Sequence, residues 1–187
     1  MPTRPRLFLL DANVVIELHR IGLWQRLTGC CQIIVPSIVA EREAQFWDSG
    51  EGVGKPIHLG DDLAAGRIAI READAAAMKD TLDLFDPVMQ QSLDAGELEA
   101  LTILREWSQD PPSFSTADFK ACEALCLLGL SHLAVSLEEV LERSGLTHRV
   151  RPHFSRSALQ QVLRRARAAG VQRSGLAGVE GKPRRRR

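Results

Sequence analysis

The chain lacks any apolar run approaching the ~18 residues that a membrane-spanning helix needs, so no segment reads as a span. Its start, MPTRPRLFLLDANVV, carries basic residues but neither a long apolar stretch nor a small-residue cleavage site. An unexported cytoplasmic protein with no membrane partner is the expectation. Four cysteines occur, Cys30 and Cys31 adjacent and Cys122 and Cys126 one helical turn apart. Neither pair has the C-x-x-C spacing of a structural zinc site, which leaves buried reduced thiols, a usage that fits the cytosol. The five histidines are scattered without an H-E-x-x-H spacing, so they read as structural or surface groups. The segment GEGVGKP resembles a phosphate-binding loop only superficially. Ser49 stands where its first glycine belongs and Pro56 where a Ser or Thr must hold magnesium. A response-regulator-like phosphoryl site also fails, because no lysine follows a late strand.

What the sequence does have is a charge step hidden under a net charge of zero. From Met1 to Glu142 there are 11 lysines and arginines against 23 acids, and from Arg143 to Arg187 there are 13 against one. An acidic body repels nucleic acid unless cations neutralise it, whereas a basic end attracts phosphate by counterion release. The step equally fits two halves that attract each other, or a tail that keeps the protein soluble. Within the basic end, Arg164, Arg165 and Arg167 fall on an expected helix and Arg184 and Arg185 in the terminal KPRRRR. They are candidate RNA contacts of the phosphate-attracting kind, with few aromatics nearby; the helical three read equally well as a solvated face.

Residues 6–10 (RLFLL) form a short apolar run ending at Asp11, which predicts a buried strand. Asn13 could cap the helix that follows, and Gly29 breaks its pattern. A second strand, 32–35, stops at Pro36, and the helical stretch IVAEREAQFW carries Glu41 and Glu43. Residues 48–62 read as a loop, 67–70 as a small strand, and 73–85 as a helix ended by Pro87. A helix from about Ala95, a strand at 113–116 and a helix from Asp118 to Leu128 follow, with Gly129 as its cap. HLAVS offers a last strand, Ser136 and Glu139 a capping box, and a final helix runs from near Ser155 to Gly170. Strands alternating with helices predict an α/β fold, a three-layer α/β/α sandwich on a mainly parallel sheet. The expected division is a body over 1–150, a basic helix over 151–170 and a basic disordered tail over 171–187.

In an open parallel sheet, ligands bind outside the carboxyl ends of the strands. Asp11 and Asp118 each follow an expected strand, Glu41 and Glu43 follow the second one, and Glu97 opens a helix, so all could reach one cleft. Two unit charges about 4 Å apart repel by roughly 4 kcal/mol at an effective dielectric near 20. Such a cluster must bind cations or raise its pKa values, and an all-oxygen donor set favours Mg²⁺ or Mn²⁺. Each acid has a plainer reading too. Asp11 and Asp118 could cap helices, Asp94 with Glu97 could form a capping box, and at least one of Glu41 and Glu43 is solvated surface.

In order along the chain, LLDANVVI, VPSIVAEREAQF, LDAGELEAL and FSTADFKACEALCLLGL resemble the four motif regions of the PIN-domain family, over about residues 7 to 142. That resemblance implies a metal-dependent ribonuclease with Asp11, Glu97 and Asp118 as catalytic, metal-binding acids, and with Glu43 or Glu41 as the fourth. Asn13 and Thr116 fall on positions that support such a site. It further implies Mg²⁺ or Mn²⁺ as cofactor and RNA as substrate. Because many members of the family are toxins held by a small antitoxin, it allows an antitoxin protein, or a second copy in a homodimer, as partner. A catalytically silent PIN-fold binding module is the alternative.

Overall fold

The structure, a computed structural model, describes residues 6–50 and 54–171, with side chains to 168. Its centre is a five-stranded sheet, all of whose pairings are parallel, in the order β5(Ile68–Arg71), β2(Gln32–Pro36), β1(Leu7–Leu10), β6(Ser113–Ser115), β7(Ala134–Val135). The short apolar runs make strands because both faces are covered. Phe8 and Leu10 point into one apolar cluster with Val14, Leu18, Ile33, Val35 and Val135. Leu9 points into the other, with Ile34, Leu101, Phe114 and Leu125. On the first face lie α1(Ala12–Arg20), α2(Trp24–Thr28) and α8(Leu137–Arg143). The second is covered chiefly by α6(Ala95–Glu106) and α7(Phe119–Leu127). This α/β architecture is compatible with the expected three-layer sandwich.

From β1 the chain steps outward through β2 to β5, and it then re-enters on the other side with β6 and β7. The direction of winding therefore reverses between β1 and β6, where an open parallel sheet leaves a crevice at its carboxyl end. Asp11 and Asp118 leave the sheet at that crevice.

Several local expectations are corrected. The segment 48–62 is not a plain loop: β3(Phe46–Asp48) and β4(Gly54–Pro56) pair antiparallel as a hairpin, and α3(Leu59–Ala64) follows. The helix expected over IVAEREAQFW is a single wide π-turn, Val39–Glu43, closed by the Ala44 amide on the Val39 carbonyl at 2.9 Å. The chain then extends into β3, because an aromatic pair at Phe46 and Trp47 favours the strand. Pro87 does not end a helix. Helix α4(Ala75–Leu82) stops earlier, and Pro87 opens α5(Pro87–Ser92) at the position where its missing N–H costs nothing, with Asp86 accepting from the Met89 amide. The cap of α1 is Asp11, not Asn13.

The last described element, α9(Arg156–Val171), lays Leu159 and Leu163 on Cys122 of α7. The expected tail over 171–187 lies, beyond Val171, outside the described residues. No helix among the described residues is long and apolar enough to cross a membrane.

Candidate functional site: an acidic mouth at the switch point

Asp11 directly follows β1 and is almost fully buried, 3% exposed. Its Oδ1 accepts from the Ala12 amide at 2.7 Å; Oδ2 accepts from Asn13 Nδ2 at 2.8 Å and from the Thr116 hydroxyl at 2.7 Å. The Thr116 oxygen in turn accepts from the Asp118 amide at 3.0 Å, and Asn13 Oδ1 accepts from the Ala117 amide at 3.3 Å. Asn13 and Thr116 thus tie the ends of the two neighbouring strands around one carboxylate. Asp118 caps α7, its Oδ1 taking the Lys120 and Ala121 amides at 2.5 and 3.1 Å.

Glu97 belongs to a capping box with Asp94, as the plainer reading had it. Asp94 Oδ1 accepts from the Glu97 amide at 2.7 Å, and Glu97 Oε2 from the Asp94 amide at 3.2 Å. It is nonetheless more than a cap, since it is 4% exposed and surrounded by negative charge. Burial first, then Asp118, Asp94 and Asp11, push its carboxyl up to about 9, against an opposing hydrogen bond from the Asp94 amide. Burial likewise lifts Asp11 to about 6, with Asp94 and Glu43 adding to it while the Thr116 and Ala12 hydrogen bonds resist.

Glu41 and Glu43 lie in different surroundings. The π-turn brings Glu43 onto the first turn of α6, where its Oε1 accepts from the Gly96 amide at 3.0 Å. A Cβ at position 96 would overlap that carboxylate, so the glycine makes the approach feasible. Burial and then Asp94 raise the Glu43 pKa, the Gly96 bond lowers it, and Glu99 adds a smaller increase. Glu41 is exposed and lines a separate cleft of about 240 Å³ with Arg42, Glu72 and Glu99.

The cluster meets the demands of a hard cation in its chemistry: carboxylates only, mutually repelling, with no Lys or Arg paired to Asp11, Glu43, Glu97 or Asp118 among the described residues. One oxygen of Glu43, of Glu97 and of Asp118 has no hydrogen-bond donor among those residues. Among the described residues, however, no three His, Cys, Asp or Glu side chains are already gathered closely enough to hold a metal ion. The carboxylates are instead held by the caps described above.

Among the described residues no hydrogen bond or ion pair joins Arg164, Arg165 or Arg167 to Asp11, Glu43, Glu97 or Asp118. Arg164, Arg165 and Arg167 are exposed on α9. The Arg167 guanidinium donates to Ser131 at 3.3 Å, beyond the end of α7 opposite its Asp118 cap, and nine helical residues span about 13 Å. Other cations of the basic end pair with the acidic body: Arg151 with Glu17 at 3.5 Å, and Arg156 with Glu139 and Glu142 at 3.2 and 2.5 Å. Arg184 and Arg185 lie outside the described residues.

Two groups that sequence reasoning missed frame the site. Asp94 was visible only as a cap, yet its charge acts on Asp11, Glu43 and Glu97. Glu99, 1% exposed, accepts from the Ser37 hydroxyl at 2.6 Å and from the Ile38 and Ala73 amides at 2.7 and 3.2 Å, fastening α6 to the chain leaving β2 and β5. An acid flanked by Leu98, Ala100 and Leu101 was the signal for a buried carboxylate. No family model, curated protein or solved structure matches the chain.

Proposed function

We propose that the protein is a metal-dependent ribonuclease of PIN type that hydrolyses RNA phosphodiester bonds at the acidic mouth. The observation that carries the reading is the set of carboxylates without a cationic partner at the switch point between β1 and β6, where burial first and neighbouring acids second lift Glu97 to about 9 and Asp11 to about 6. Asp11 and Asp118 would be the principal ligands of Mg²⁺ or Mn²⁺, with Glu97 and Glu43 completing the set directly or through water. Such an ion, when bound, would supply positive charge for the phosphate and lower the pKa of a water. The chain's own work is positional. Thr116 and Asn13 fix the Asp11 carboxylate, the first turn of α7 fixes Asp118, and the Gly96 amide fixes Glu43.

Purified protein is expected to cleave RNA only with Mn²⁺ or Mg²⁺ present, and Asp11→Asn protein with an unchanged circular dichroism spectrum is expected not to. Equal cleavage by the two, with contaminating nuclease excluded, would overturn the reading. The second reading, a silent module that keeps the scaffold for binding, is favoured by one observation: Asp118 and Glu97 are tied into helix caps, and among the described residues no three such side chains lie close enough together to hold an ion. A silent module binds no Mn²⁺ specifically.

A further inference from the structure

A pair of thiols lies at the end of the sheet away from the mouth. Cys30 and Cys31 directly precede β2 at its amino end, whereas Asp11 follows the parallel β1 at its carboxyl end. The expectation of buried thiols holds for Cys31 and fails for Cys30, which is exposed. The two sulfurs are 3.8 Å apart, in contact with no bond between them.

Each thiol has an acceptor that draws its proton off the line between the sulfurs. The Leu27 carbonyl lies 3.4 Å from Cys30 Sγ, and the Ser144 hydroxyl oxygen 3.1 Å from Cys31 Sγ. The Ser144 proton goes to the Val140 carbonyl at 2.6 Å, so in the second contact the thiol is the donor. Ser144, 113 residues away, caps the end of α8, and it holds the buried sulfur against the exposed one. An open cleft of about 480 Å³, lined in part by Cys31, Gln32, Arg67 and Trp107, leaves room for a small reagent beside the pair. A metal is the other ligand that two thiols suggest. Two thiolates fill only half of a tetrahedral zinc shell, and among the described residues no group of three His, Cys, Asp or Glu could hold an ion. A bond between the two sulfurs needs no third partner.

We infer that Cys30 and Cys31 are a redox modification site, a dithiol that low-molecular-weight disulfides such as oxidised glutathione convert reversibly into a Cys30–Cys31 disulfide. The Cys30 thiolate attacks one sulfur of the small disulfide, whose S–S bond breaks and releases one thiol. Cys31 Sγ, losing its proton, then attacks Cys30 Sγ and expels the second thiol. The two cysteine protons end on the two released thiols, and two electrons pass from the protein to the small disulfide. Adjacent Cα atoms lie about 3.8 Å apart, closer than the roughly 4.4–6.8 Å usual for a disulfide, so the ring is strained and readily reduced again. Partial burial, then Cys31, raise the Cys30 pKa and the charges of Arg6 and Arg26 oppose them, so attack quickens as pH rises. The inference does not rest on the ribonuclease reading.

The test is peptide mapping of the reduced full chain after incubation with oxidised glutathione at pH 8, quenched in acid and alkylated with N-ethylmaleimide in denaturant. Cleavage after Arg26 and Arg42 gives one peptide, 27–42, that holds both cysteines and neither Cys122 nor Cys126. Its doubly alkylated form should fall at least about tenfold, replaced by a form that lacks two hydrogens and carries no alkyl or glutathionyl group. Excess reduced glutathione should restore it. In Cys31→Ser protein the glutathionyl group should instead stay on Cys30. Unmodified protein in which both thiols remain alkylated, in which glutathione stays on Cys30, or in which Cys30 joins two chains would overturn the proposal. So would equal ring formation in the urea-unfolded chain, which assigns the reaction to sequence adjacency and not to the folded pair.

Discussion

Glu17 and Glu97 are the same residue type at almost the same burial, 2% and 4% exposed, yet their surroundings drive them in opposite directions. Burial raises the pKa of both. At Glu17 it is outweighed by hydrogen bonds from Arg20 at 2.5 and 2.6 Å and by the charges of Arg151 and Arg20, so the carboxyl ends below its ordinary range. At Glu97 the neighbours are Asp118, Asp94 and Asp11, and the carboxyl ends near 9. Glu139 repeats the first pattern, with Ser136 hydrogen bonds and the charges of Arg156 and Arg143 overcoming burial. The chain therefore supplies cations to buried Glu17 and half-buried Glu139 on the α1 and α8 side and withholds them at the mouth, and the withheld charge is what a divalent ion would provide.

The comparison is broken most forcefully at Asp11. Asp11→Asn removes a central charge and keeps the size of the side chain, so RNA cleavage should fall at least about a hundredfold, with the circular dichroism spectrum unchanged. Next comes the pair itself. In EDTA at pH 8, Glu97→Gln should stabilise by on the order of 1–3 kcal/mol, while Glu17→Gln should destabilise by roughly 1–2 kcal/mol, reduced by the solvent exposure of its arginine partners. The pH dependence has opposite signs. Between the ordinary value of 4.5 and about 9 the folded chain holds a proton on Glu97 that the unfolded chain has lost. The stability this gives is complete below 4.5 and is lost as pH rises toward 9. Glu17, depressed, contributes stability above 4.5 that is lost as pH falls through its folded value. Denaturant melts of the chelated protein should thus weaken from pH 5 to 9, and Glu97→Gln should flatten that slope.

Much of the frame was legible in the sequence. Each of Leu7–Leu10, Gln32–Pro36 and Ser113–Ser115 is a short apolar or β-favouring run ended by a polar residue or proline, and each is a strand. The positions of Asp11 and Asp118 followed from those strand ends. The placement of Glu43 did not follow, because a regular helix after Pro36 spaces residues differently from the π-turn that delivers Glu43 to Gly96. That choice depends on a hydrogen bond between residues 53 apart, and no local pattern encodes it. Glu99 was hidden for a similar reason: its donors, Ser37, Ile38 and Ala73, come from two other segments. The charge step was plain, but its use was not. Arg151 and Arg156 turn inward to Glu17, Glu139 and Glu142.

Smaller effects sharpen the picture further. Glu43→Gln should lower cleavage about tenfold and Glu41→Gln less than about twofold, by comparing initial rates on one RNA. Ser37→Ala, which removes one of three donors to buried Glu99, should cost about 1 kcal/mol in urea unfolding.

The most direct measurement is calorimetric titration of Mn²⁺ into the chelator-treated full chain at pH 7.5, repeated in buffers of different ionisation enthalpy. With Glu97 near 9 and Asp11 near 6, saturable binding should release about one proton per chain, because the ligands must ionise to bind. Asp11→Asn should abolish the binding. Absence of a saturable heat in the unmodified protein, or binding that Asp11→Asn leaves intact, would contradict the account.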